Sequence, residues 1–220
     1  MEYKILGNTG IKVSPLCFGT MSFGGDADEA TSAAMFGRCR EAGINFFDCA
    51  DVYEKGRSEE ILGGLIRDCR ADVIIASKVY FPTGQDVNAR GSHRQHIRHA
   101  IEASLRRLNT DYIDIMLLHC VKEGDWPQAM KGPMDVLSEY KARGRVRMVG
   151  VSCHGLAPLL AAAEEPWVEY VLARVNPFAH AMDVDKPERV SAVVHVLEKM
   201  HQHGQVVQGM KIFGAGGCKT

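Results

Sequence analysis

Short apolar runs rich in Val and Ile alternate with helical stretches along the whole chain, at about thirty residues per strand-helix unit. That rhythm predicts an α/β protein with parallel strands joined by crossover helices, either a doubly wound sheet or a closed barrel. A doubly wound nucleotide-binding sheet needs G-x-G-x-x-G after its first strand. The sequence has Gly19-Thr20-Met21-Ser22-Phe23-Gly24-Gly25 there instead. The expectation is therefore a (β/α)8 TIM barrel, with seven βα units visible and the eighth missing.

Strands are expected at 16–19, 44–48, 73–78, 113–119, 146–152, 170–176 and 206–210, most of them flanked by Gly or charged residues. Helices are expected at 29–41, 59–70, 133–142, 157–165 and 187–203. A further helix opens at Ser92 as N-cap, turns Ile97, Ile101, Leu105 and Leu108 to one face, and stops at Asn109. Residues 1–15, with turn signals at Gly7-Asn8 and Thr9-Gly10, are expected to form a hairpin capping the barrel bottom. No linker divides the chain, so 1–220 reads as one barrel domain. Eight-stranded barrels typically take about 250 residues, and a seven-strand arc exposes two unpaired edges. The expectation is that the barrel continues beyond this sequence, rather than that another chain completes it.

Composition narrows the partners. The chain has 220 residues, with 26 basic against 27 acidic and a formal charge of −1. That balance gives no footprint for nucleic acid or an anionic membrane. No apolar run approaches the ~20 residues of a membrane span. The start, Met1-Glu2-Tyr3-Lys4, lacks a secretory apolar region. The seven cysteines are odd in number, scattered and never spaced C-x-x-C, which fits free thiols in a reducing cytoplasm.

Three successive strands finish on a residue that resists burial: Asp48, Lys78 and His119. In a parallel barrel these project together at the C-terminal mouth, where barrel enzymes place their chemistry. Tyr53 follows Asp48 by five residues and can fold back over the same spot. Asp48 holds the Lys78 ammonium charged, and that charge is expected to bring the Tyr53 phenol down toward working pH. A tyrosine so tuned is a general acid for an oxygen gaining charge, and His119 beside it can orient a carbonyl. No nucleophile or metal set is evident, so the reducing equivalent should come from a bound cofactor.

The segment Phe47-Asp48-Cys49-Ala50-Asp51-Val52-Tyr53, with Gly56-Arg57-Ser58-Glu59 behind it, resembles the aldo-keto reductase signature F-D-T-A-x-x-Y and its trailing G-x-S-E. Ser104-Leu105-Arg106-Arg107-Leu108 with Asp111-Tyr112-Ile113-Asp114 and His119 is similar to that family's S-L-x-R-L-x-x-D-Y-I-D-x-x-x-x-H block. Gly144-Arg145-Val146-Arg147 running into Gly150-Val151-Ser152 resembles G-K-I-R-x-x-G-V-S. The resemblance implies reduction of an aldehyde or ketone by hydride from NADP(H), with NAD(H) open. It implies Tyr53 as proton donor, Lys78 and Asp48 tuning it, and His119 placing a small carbonyl substrate. It also implies cofactor contacts at Gly19, Thr20, Met21, Asp48, Ser152, Cys153, Asn176, Met210 and Lys211.

The departures from the family pattern fall on the nicotinamide. Cys153 stands where an asparagine is usual, Leu172 where glutamine is usual, and Met210 where a tyrosine stacks. Together they weaken hydrogen bonding to the carboxamide and replace stacking with a thioether contact. They keep a second reading open, a catalytically weak nucleotide-binding barrel acting as sensor or scaffold. Gly214-Ala215-Gly216-Gly217, with Lys211 beside it, offers backbone N–H groups to a pyrophosphate or is simply a flexible loop.

Cys49, Cys120, Cys153, His119 and His154 also gather at strand ends, but neighbours on a strand point to opposite sides, so no metal site is expected. His93, His96 and His99 are expected on a solvated helix face. Arg174 interrupts an apolar strand and reads as part of a polar barrel floor. Substrate choice is expected in loops 79–92, with Tyr80 and Phe81, and 120–132, with Trp126.

Overall fold

The computed structural model describes residues 1–82 and 84–217; residue 83 and the segment 218–220, with Cys218, lie outside the described residues. The chain opens with an antiparallel hairpin, β1 (Lys4–Ile5) and β2 (Lys12–Val13). Seven parallel strands then line up in chain order: β3 (Cys17–Gly19), β4 (Phe46–Asp48), β5 (Ile74–Val79), β6 (Ile113–Val121), β7 (Val146–Cys153), β8 (Tyr170–Arg174) and β9 (Val206–Met210). Every connection carries helix: α1 (Glu29–Glu41), α2 (Arg57–Leu65), α3 (Arg94–Arg107), the short α4 (Trp126–Ala129) followed by α5 (Lys131–Ala142), α6 (Leu156–Glu164) and α7 (Val190–Gln202). This is the seven-unit, curled parallel sheet of the barrel class. Among the described residues β3 and β9 are its edges.

Alternation along each strand sorts the core into two layers. Phe46, Ile74, Ala76, Ile115, Leu117 and Met148 meet on the inner face. Their neighbours Phe47, Ile75, Met116, Val149 and Val151 pack outward against the helices. The expected hairpin exists and caps the bottom, since Leu6 and Val13 join the inner layer. Asn45 pins it, accepting from Ser14 N at 2.7 Å and donating to Lys12 O at 2.9 Å.

Below the mouth the strands are tied by charge. Asp114 is buried and accepts from Ile75 N at 3.0 Å, from Arg70 at 2.8 Å and from Arg147 at 2.8 Å. Both guanidiniums stack on Tyr112, each 4.0 Å from its ring centroid. Strands β7 and β8 approach closely at Gly150, where an added Cβ would lie 1.8 Å from the Tyr170 carbonyl oxygen.

Several boundaries differ from the sequence reading. His93, not Ser92, caps α3, its Nδ1 accepting from His96 N at 3.2 Å. The helix expected over 59–70 starts at Arg57 and ends at Leu65. Residues 175–176 leave the sheet, so Arg174 ends β8 rather than interrupting it. His96 is buried, its Nε2 bonded to Phe81 O at 3.2 Å, so the histidine face is not uniformly solvated.

Candidate functional site

Asp48, Tyr53, Lys78 and His119 come together as a tetrad at the C-terminal ends of three neighbouring strands. Asp48 ends β4, and Lys78 and His119 sit near the ends of β5 and β6. Tyr53 stands at the start of a 3-10 turn (Tyr53–Gly56) in which Glu54, Lys55 and Gly56 all have positive φ. The turn closed by Tyr53 N donating to Ala50 O at 3.2 Å brings the phenol back over the strand ends, and the left-handed path after it leads the chain into α2.

Lys78 is the hub. Its Nζ donates to Asp48 Oδ1, to Cys49 O at 2.6 Å and to the Tyr53 hydroxyl at 3.2 Å. The Tyr53 and His119 rings meet edge-on, 6.0 Å between centroids, and Phe81 lies against His119 at 4.9 Å. Burial alone would discharge Lys78, but Asp48 and Tyr53 hold its ammonium well above the ordinary lysine range. Burial raises the Asp48 carboxyl, with Lys78 pulling the other way. For Tyr53 the outcome reverses the sequence expectation: burial outweighs the Lys78 charge and the phenol is raised, not lowered. His119 is pushed down to about 2, first by burial and then by Lys78 and His154. The mouth therefore holds an ion pair, a phenol and a neutral imidazole.

The chain has counterparts among known proteins. The profile of the Aldo/keto reductase family matches residues 15–177. The chain belongs to that family. A probable voltage-gated potassium channel subunit beta from rice is 42% identical over 123 residues, covering 54% of this chain and 37% of the rice protein. Norsolorinic acid reductase from Aspergillus flavus is 35% identical over 166 residues, covering 68% of this chain and 42% of that enzyme. The chain thus spans about two fifths of the length of these curated relatives. An aldo-keto reductase from Bacillus halodurans, solved in holo form, superposes with TM-score 0.77 at 26% identity, over 96% of this chain and 66% of that one. One from Pseudomonas gives TM-score 0.76 at 31% identity, over 95% and 77%.

In this aldo/keto reductase chain, the residues expected from sequence to meet a nicotinamide are a mixed set. Ser152 is on the inner face and its Oγ is buried with no hydrogen-bond partner among the described residues; Asp48 Oδ2 is in the same condition. Cys153 points the other way, into the helix-side core with Val149 and Val151, so its thiol does not face the mouth. Cys49 does the same and contacts Ser58 Oγ at 3.2 Å. Met210 packs on the inner layer, and Lys211 follows with φ +57°.

The other expected contacts do structural work. Asn176 clamps the loop after β8: Nδ2 donates to His180 O at 2.7 Å and Lys211 O at 3.1 Å, while Oδ1 accepts from Phe178 N at 3.1 Å and His180 N at 3.2 Å. Thr20 is buried and hooks β3 to β4, bonding Asp48 O at 3.1 Å and Ser58 Oγ at 3.0 Å. Gly19 and Met21 beside it are exposed. In the glycine loop, the Gly214, Gly216 and Gly217 amides already donate to Lys211, Phe213 and Gly214 carbonyls, so they are not open to a pyrophosphate in this arrangement. Trp126 is buried, donating from Nε1 to Pro158 O at 3.2 Å, and supports α6 rather than the mouth.

A cavity of about 640 Å³ lies at the opposite, N-terminal end, between the hairpin and the starts of β8 and β9. Its charges are mostly paired already: Lys141 with Glu169, Arg147 with Asp114, Glu164 with Lys199. The mouth, where polar groups stand with unused bonding capacity, is the better candidate for chemistry.

Sequence reasoning missed Asp51. Both its carboxylate oxygens are buried without a side-chain hydrogen bond, and burial together with the nearby Glu59 charge pushes it up to about 8. Between about pH 4 and 8 the folded chain keeps a proton on Asp51 that the unfolded chain has released, so its contribution to stability falls as pH rises. Asp51→Asn is expected to raise the Tm at pH 8 by several degrees, about 2–5 kcal/mol. At pH 4 the difference should vanish. Thermal melts of both proteins at the two pH values check it, and an equal gain at both would mean that Asp51 is charged in the fold.

Proposed function

We propose that the chain reduces an aldehyde or ketone to an alcohol with NADPH, reversibly, through Tyr53 as proton donor. The observation that carries this reading is Lys78 bonded at once to Asp48 and the Tyr53 hydroxyl beside a neutral His119. The nicotinamide, when bound, supplies the hydride. Ser152 Oγ and Asp48 Oδ2, buried with unused bonding capacity, suit a polar amide, and Met210 suits the ring through its thioether.

His119, neutral, donates an N–H to the substrate oxygen and holds it at the mouth. Tyr53 delivers its proton to that oxygen as charge develops there. The Lys78 ammonium favours the phenolate left behind, and Asp48 keeps Lys78 charged in a buried setting. Phe81 covers His119 and excludes water from the reacting oxygen. The six described cysteines are free thiols, which supports a reducing, cytoplasmic setting. No helix among the described residues is long and apolar enough to cross a membrane.

The second reading is a nucleotide-binding sensor or scaffold. The outward thiol of Cys153, the apolar Leu172 and the similarity to a rice protein named as a channel β subunit favour it. Fluorescence titration with NADPH and NADH, followed by a panel of aldehydes and ketones, separates the two. NADPH binding with turnover supports the reductase; binding without turnover supports the sensor; absence of both sinks the nucleotide reading altogether.

A further inference from the structure

β7 and β8 end beside the tetrad on residues that the tetrad does not use. His154 follows β7, and its backbone N–H donates to Val121 O at 2.8 Å, which places it next to the end of β6. Its ring stands edge-on to His119, 6.5 Å between centroids. Arg174, the last residue of β8, donates from Nη2 to His154 Nδ1 and from Nη1 to Asp183 Oδ1 at 3.3 Å. The Asp183 side chain is 1% exposed, and the Arg174 guanidinium is the counter-charge beside it. Arg174 thus lies at the mouth, not on the barrel floor.

A guanidinium has donors and no acceptor. The His154 nitrogen it meets is therefore the bare one, and the ring proton sits on Nε2. Adding a second proton would set an N–H against the guanidinium. Burial, followed by the Arg174 charge, accordingly holds His154 down to about 4. Nothing among the described residues bonds Nε2. The mouth has two neutral imidazoles side by side, one of them locked as a donor.

We infer that His154 binds a second substrate oxygen, on the carbon next to the reacting carbonyl, with Arg174 and Asp183 as positioning residues that fix its tautomer. The inference rests on the reductase reading and narrows its substrate to carbonyl compounds with a neighbouring hydroxyl or carbonyl oxygen.

Two measurements on the whole chain test it. Nitrogen-15 NMR of the imidazoles, with His154 assigned by its loss in His154→Gln, is expected to show bare Nδ1 and protonated Nε2 from about pH 5 to 8. Arg174→Met is expected to mix the two tautomers. Adding 2-hydroxypropanal should shift the Nε2 resonance, and propanal should not. A protonated Nδ1 in the parent, or equal shifts with both aldehydes, overturns the inference. In turnover, the kcat/KM ratio of 2-hydroxypropanal to propanal is expected to fall about tenfold in His154→Phe, through KM. His154→Gln, whose amide still donates, should recover part of it, and an unchanged ratio in both variants overturns the role. If the parent turns over neither aldehyde, the reductase reading fails, and the NMR measurements still decide whether His154 is a fixed donor that binds the second oxygen.

Discussion

Tyr53→Phe is expected to lower carbonyl turnover by about 10²–10⁴-fold, the usual contribution of a positioned general acid. The change removes one oxygen. Lys78 loses its 3.2 Å contact and keeps its bonds to Asp48 and to Cys49 O, so the ion pair and the strand ends stay in place. Nucleotide binding should survive, since the groups suited to the nicotinamide sit on β4, β7 and β9. The parent profile is informative as well. Burial holds the Tyr53 phenol above its usual value, so the donor is fully protonated at neutral pH, and reduction should decline only in strongly alkaline solution. Steady-state kinetics of parent and variant across pH check both statements. Turnover within threefold of the parent would remove Tyr53 from the proton-donor role.

Gly150→Ala is expected to prevent folding or to cost more than about 4 kcal/mol. Gly150 lies mid-strand in β7, paired with Tyr170 of β8, and the added methyl would sit 1.8 Å from the Tyr170 carbonyl oxygen. Backbone cannot swing aside as a side chain can. Relief requires β7 and β8 to separate, which opens the inner layer at Tyr170 and Leu172 and moves Ser152 away from the mouth. The expected result is an insoluble protein or a Tm lowered by about 10 °C or more. Circular dichroism melts decide it; a parent-like Tm would mean that the two strands can part without cost.

The strand ends were legible because short buried strands show their polar residues plainly. Asp48, Lys78 and His119 each close an apolar run, and Tyr53 follows at a spacing that a turn can reverse. What stayed hidden was tertiary. The direction of the Tyr53 shift depends on a contest between burial and one ammonium, and burial is not written in local sequence. Ser152 and Cys153 are adjacent, so one faces in and the other out, and only the register with β8 says which. An apolar run read through to Asn176 puts Arg174 on the floor; with β8 ending at Arg174, the same side chain stands at the mouth. His96 neighbours Ile97 on α3, yet its burial follows from the Phe81 carbonyl, contributed by a loop fifteen residues earlier.

The Asn176 clamp bears on how this scaffold tolerates remodelling. By holding His180 and Lys211 carbonyls together, it makes the loop after β8 and the end of β9 one mechanical piece, and Asp183 rides on that piece. Inserting or deleting residues there would pull the counterion from Arg174 and release His154. The loop after β5 is built differently: its ends are tied by Gly91 N to Tyr80 O at 3.2 Å and by His96 to Phe81 O, and it reaches the mouth through the Phe81 ring against His119. New substrate ranges are best grafted between those two ties, where sequence can vary while the proton-handling groups stay in register.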